Sequence, residues 1–88
     1  MYEWDRDKSA ENLAKHGVDF TEAEDFEWDT ALTFPDARRR YDEPRNVSFG
    51  FIGPRLYALV WTPRGTIVRV ISLRKAKRRE IKRYVGHP

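Results

Sequence analysis

The sequence predicts an α+β domain: an antiparallel sheet of about four strands, two helices before it and one after it. Three observations predict this fold. Residues 45–52, 55–62 and 66–72 are rich in β-branched and aromatic side chains, and only Gly53-Pro54 and Pro63-Arg64-Gly65 separate them, the mark of a meander. Residues 5–26 carry helix start and stop signals. Residues 73–85 place Leu73, Ala76, Ile81 and Tyr84 at helical spacing. The predicted order is βααββββα, and 88 residues suit a single domain spanning 1–88.

Residues 1–4 can form a short edge strand. Asp5 has the chemistry of an N-cap, since its carboxylate accepts otherwise orphaned backbone N–H groups. The helix then runs to His16, and Gly17 supplies the left-handed residue that ends it. Ala10, Leu13 and Ala14 form its modest apolar face. Asp19 and Glu22 have capping-box spacing ahead of a second, short helix over 20–26 that buries Phe20, Ala23 and Phe26. Residues 32–34 read as a strand stopped by Pro35. The polar stretch 36–44, with Arg38, Arg39 and Arg40, reads as an exposed loop. Residues 45–52 alternate, with Val47, Phe49 and Phe51 on one face. The closing helix over 73–85 carries Arg74, Lys75, Arg78, Arg79, Lys82 and Arg83 on one arc, opposite its apolar stripe. Lys77 interrupts that stripe, and Glu80 is placed to pair with it.

The net charge of +3 hides a steep asymmetry. Residues 1–30 hold ten acids and three bases, whereas residues 74–88 hold seven bases and one acid. The basic end suits nucleic acid, and the acidic end suits a basic protein. There is no cysteine, no export signal, and no apolar run long enough to span a bilayer, so a soluble cytoplasmic protein with no membrane partner is expected.

Two histidines and no thiol give no metal-ligand spacing, and no glycine-rich phosphate loop or nucleophile elbow is present, so neither metal nor cofactor is expected. Arginine, lysine, carboxylate and tyrosine remain. These suffice for metal-free cleavage of RNA by its own 2′-hydroxyl: the protein aligns the nucleophile, neutralises charge on the phosphoryl oxygens and moves protons. Arginine suits the second task because its planar fork pairs with two phosphate oxygens. Arg69 lies on a strand between Ile67 and Ile71. It either reaches a carboxylate at the sheet edge or points into a phosphate site. Arg74 and Lys75 open the basic run, and Asp42-Glu43-Pro44-Arg45 sets carboxylates beside an arginine where a strand begins. His16 sits at a helix C-terminus, favoured there by the dipole. Trp4, Trp28, Trp61, Tyr57 and Tyr84 are read as core rather than as base-stacking groups.

The segments YEWDRDKSAENLAKHGVDFTEAEDFEWD, LTFPD, DEPR and RVISLRKAKRREIKRY together resemble the BrnT toxins. The resemblance spans nearly the whole chain. It implies a RelE-like fold, a ribonuclease activity that arrests translation, and neutralisation by a BrnA-like antitoxin whose ribbon-helix-helix part lets the complex bind operator DNA. His16 falls in the family's KHGV motif, and Glu43 and Arg45 fall in its acidic segment before a strand. Arg69, Ser72, Arg74, Lys75 and Arg79 fall in its closing motif. The expected catalytic set is therefore Arg69, Arg74, Lys75, Glu43 and His16, with Arg45, Arg78, Arg79 and Lys82 binding RNA. Leu73 stands where the family usually has a small residue, and Pro44 is often absent. The alternative is a non-catalytic nucleic-acid-binding or protein-interaction module using the same basic surface.

Overall fold

In the computed structural model, which describes residues 1–37 and 42–87, five strands form one sheet. They are β1 (Tyr2–Glu3), β2 (Leu32–Pro35), β3 (Asn46–Ile52), β4 (Arg55–Arg64) and β5 (Ile67–Lys75), in the spatial order β1-β5-β4-β3-β2. Helix α1 (Arg6–His16) and a 3-10 helix (Phe20–Asp25) precede β2, and α2 (Arg78–Gly86) follows β5. The three arginines at 38–40 lie outside the described residues.

The α+β class and the meander β3-β4-β5 agree with the sequence, but the sheet is mixed and has five strands. The first strand joins it parallel to β5, pairing Tyr2 with Val68 and Glu3 with Arg69. Two residues leave too little periodicity to reveal a partner. The second helix is a 3-10 helix, capped by Asp19, whose side chain accepts from Thr21 N–H. The caps of α1 are as expected. Asp5 accepts from the Asp7 and Lys8 N–H groups, and Gly17 ends the helix at φ 75°.

The largest departure is at residues 73–77. The sequence places them in the last helix, whereas β5 continues to Lys75 and α2 begins at Arg78. The cause is a bulge. Val60 pairs with Ser72 but Trp61 pairs with Val70, so Ile71 is the extra residue on β5. Val70 and Leu73 then enter the same core although they are three apart, and Ala76 is buried three residues further on. A bulged strand followed by a short connection thus imitates helical spacing.

The core lies on one face of the sheet, where Val18, Phe20, Ala23 and Phe26 meet Tyr57, Leu59, Val70 and Leu73. Trp4 packs edge-on to Phe20, Trp28 to Phe26 and Trp61 to Trp28. Trp28 donates to Tyr2 Oη at 2.7 Å and Trp61 to Ser48 Oγ at 2.8 Å, so these indoles are committed to the fold. On β3 the face towards this core is Ser48 and Gly50, both buried, while Val47, Phe49 and Phe51 share the opposite face and are half-buried. Phe26 explains the glycine: a Cβ at Gly50 would come within 2.5 Å of its ring.

Helix α1 packs through polar residues. Ala10, Leu13 and Ala14 are exposed, and Ser9 and Asn12 are buried. Ser9 Oγ accepts from Phe20 N–H at 2.9 Å. The Asn12 amide donates to Val18 O at 2.8 Å and to Leu73 O at 2.6 Å, and its carbonyl accepts from Leu73 N–H at 3.3 Å. The reason is that α1 lies along the open edge of β5, which needs hydrogen-bond partners more than apolar cover.

Replacing Asn12 by Ala leaves the Leu73 N–H and two buried carbonyls without their partner, and should cost about 2–4 kcal/mol of unfolding free energy. Gly50→Ala should cost about 1–3 kcal/mol by overpacking against Phe26. Urea denaturation midpoints measure both, and wild-type stability in Asn12→Ala would show that the edge needs no clamp.

Candidate functional site

The pairing register puts three polar side chains in one row. Arg69 faces Thr62, Ser72 faces Val60 and Arg74 faces Ala58. These β4 partners alternate with core-facing Leu59 and Trp61, so the row lies on the face away from the core. Arg69 and Arg74 stand roughly 13 Å apart along the strand, at ~3.3 Å per residue of β4. The bulge at Ile71 keeps both arginines on this face.

Helix α2 crosses the same face. Arg74 donates to both carboxylate oxygens of Glu80, at 2.8 and 2.9 Å, and also to Lys75 O at 3.3 Å. Its Nε–H and the second Nη2 proton stay available. Glu80 additionally accepts from Lys77 N–H at 2.7 Å. The Arg74 hydrogen bonds hold the Glu80 carboxyl down to about 2, against an opposing contribution from burial. Tyr84 donates to Thr30 O at 2.7 Å, and its ring meets Phe51. No residue of α2 is buried, and Ile81 and Val85 are exposed. The expected six-cation helical arc is therefore divided. Arg74 and Lys75 belong to the strand, while Arg78, Arg79, Lys82 and Arg83 stand exposed on α2.

Two adjoining cavities open between α2 and the sheet. One, of about 360 Å³, is lined by Val47, Val60, Ser72 and Arg74 among others. The second, of about 200 Å³, is lined by Leu32, Tyr84 and His87, and both share Phe34, Phe49, Glu80 and Arg83.

His16 approaches from the side. Because Asn12 is fixed to Leu73, the next turn of α1 carries His16 towards Arg74. The half-buried imidazole is pushed below its ordinary 6.5 by burial, then by the charges of Lys15 and Arg74. Of the five expected catalytic residues, the structure thus sets His16 near Arg74, while Lys75, paired with core-facing Tyr57, leaves β5 on the face opposite Arg74. The other two lie at the far end of β5. Arg69 donates to Glu3 at 2.9 Å, and Arg64 donates to Glu43 at 3.1 Å. There Thr62 Oγ1 donates to Pro44 O at 2.5 Å, and Arg45 lines a cavity of about 330 Å³ with Asp5, Lys8 and Arg69. Pro44 thus keeps a structural role through its carbonyl.

Sequence reasoning missed the cavity formed by Phe34, Phe49, Tyr84 and His87, because its walls come from three distant segments. Glu80 gave a partial signal as the one acid in the basic run: it meets the Lys77 backbone as well as Arg74. Among the described residues no group of three or more His, Asp or Glu side chains is arranged to hold a metal ion. No helix among them is long and apolar enough to cross a membrane.

Arg69 and Arg74 on one face of an α+β sheet, with His16 near the Arg74 end, form a basic surface of the kind that attracts polyanions. Residues 4–80 match the family of BrnT ribonuclease toxins of type II toxin-antitoxin systems, and the chain belongs to that family. It is accordingly a ribonuclease toxin with an RNA substrate and an antitoxin partner. No curated protein matches it.

The Glu80 carboxyl titrates near 2 when folded and near 4.5 when free. Its depressed value means that it stabilises the fold fully above pH 4.5 and loses that effect as pH falls towards 2. Glu80→Gln should therefore be less stable than wild type at neutral pH, and the gap should close across this window in acid-titrated denaturation.

Proposed function

We propose that the chain cleaves RNA without a metal, at the carboxyl end of β5 that carries Arg74 and Lys75 and lies near His16, and that this cleavage arrests translation. The observation that carries the reading is that His16 feels the charge of Arg74 at the end of β5 and is pushed below its ordinary value by burial, Lys15 and Arg74. Neutral His16 accepts the proton of a ribose 2′-hydroxyl, whose oxygen attacks the adjacent phosphorus. The remaining Arg74 donors neutralise the charge that grows on the phosphoryl oxygens. The Lys75 ammonium donates a proton to the departing 5′-oxygen as its bond to phosphorus breaks. The products are a 2′,3′-cyclic phosphate and a free 5′-hydroxyl.

On this reading Arg69 and Arg45 hold the RNA further along the sheet. Glu43 orients Arg64 rather than serving as a base. The exposed Arg78, Arg79 and Lys82 meet flanking phosphates. Charge on α2 and the open sheet face supports neutralisation by a BrnA-like antitoxin that covers the site and carries the complex to operator DNA, in the cytoplasm.

His16→Gln should lower cleavage about 100-fold or more. The wild-type rate should fall in acid as His16 protonates, with its midpoint below the ordinary imidazole value of 6.5; the variant should lack that fall. An unchanged pH profile in His16→Gln would remove the histidine from the reaction. The double substitution Arg74→Ala and Lys75→Ala should abolish growth arrest while the domain stays folded, since neither side chain belongs to the buried core. Mapping of RNA ends should show cyclic phosphates, and binding without fragments would favour a non-catalytic module.

A further inference from the structure

We infer that the smaller cavity under α2 is a nucleobase slot, and that Arg83 makes it selective for guanine. The inference rests on RNA being the substrate and adds which part of it this surface reads. The cavity holds about 200 Å³, several times the ~30 Å³ share of one water, which suits a single flat ring system. Its wall is aromatic: the Phe34 and Phe49 rings lie 6.3 Å apart, and the Phe34 and His87 rings 6.2 Å apart. Tyr84 closes one side and is held by its bond to Thr30 O. Half-buried aromatic rings that line an open cavity can stack on unpaired bases.

Position supports the same occupant. The slot adjoins the larger cavity lined by Ser72 and Arg74, with Phe34, Phe49, Glu80 and Arg83 common to both walls. A nucleotide whose phosphate meets Arg74 can therefore turn its base into the slot. Two charged side chains meet the base there. Glu80 is already engaged by Arg74 and the Lys77 N–H. Arg83 makes no hydrogen bond or ion pair among the described residues, so its whole guanidinium fork is available. Such a fork pairs with two acceptors side by side, which guanine offers as O6 and N7. Adenine places an amino group where O6 would be, and cytosine and uracil lack N7.

The test is a nucleotide titration of the full chain, followed by NMR, with the 5′-monophosphates of guanosine, adenosine, cytidine and uridine. Guanosine monophosphate should bind about tenfold or more tighter than the others, with shifts in Phe34, Phe49 and Tyr84. Phe34→Ala should weaken all four. Arg83→Lys keeps the charge but loses the fork, so it should bind all four and lose the guanine preference. Equal affinities in wild type, shifts centred elsewhere, or a preference surviving in Arg83→Lys would overturn the slot. RNA-end mapping separates this from the cleavage reading. Fragments with no guanine at a fixed offset from the break sink the slot alone, while selective binding without fragments sinks cleavage alone.

Discussion

One side-chain amide does the work of a missing strand. β1 is only two residues long and leaves most of the β5 edge open. Asn12 bonds both the N–H and the C=O of Leu73, as a neighbouring strand would. An unpaired sheet edge is costly when buried and hazardous when exposed. The amide removes both problems and fixes α1 along the strand. Everything at the carboxyl end of β5 follows from that registration. His16 sits one turn beyond Asn12, so its place near Arg74 depends on this amide more than on any contact of its own.

The second constraint is the division of labour between sheet faces. One face takes the apolar residues of the 3-10 helix and of the segment before it. The other carries buried Ala58, Val60 and Thr62 of β4, half-buried aromatics, three polar residues of β5 and a helix with no buried residue of its own. The bulge at Ile71 reconciles the two. Without it, strict alternation would send Arg69 and Arg74 to opposite faces, and Val70 and Leu73 likewise. With it, both arginines join the open face and both apolar residues join the core.

Where a residue acts on its own neighbourhood, the sequence is readable. Asp5, Gly17 and Asp19 end or begin helices through local hydrogen bonds or a left-handed backbone, and all three do so in the structure. The meander is readable because its turns are short. Features set by distant partners are not. The polar packing face of α1 is invisible until Leu73 is known to offer free backbone groups, and the helical spacing of Val70, Leu73 and Ala76 imitates a helix only because of the bulge. The same holds for the site. The basic run is plain in the composition, but its splitting between strand and helix, and the aromatic cavity drawn from residues 34, 49, 84 and 87, depend on tertiary placement.

The two arginines of the open face are held in different ways, and the difference bears on their roles. Arg69 shares Glu3 with Arg64, and all three side chains are substantially open to solvent. Such a pair contributes about 0–1 kcal/mol, so a phosphate can replace the carboxylate at little cost. Arg74 is gripped at both terminal nitrogens by a carboxylate whose side chain is only 16% exposed. A phosphate would not easily displace that partner, and need not, because Arg74 keeps donors pointing away from it. One end of the row is thus an exchangeable grip, and the other a fixed one. Catalysis by electrostatic stabilisation requires donors that do not reorganise when charge develops. That requirement favours the Arg74 end for the chemistry and leaves the Arg69 end to hold the strand, an order that the uniform run of cations in the sequence could not express.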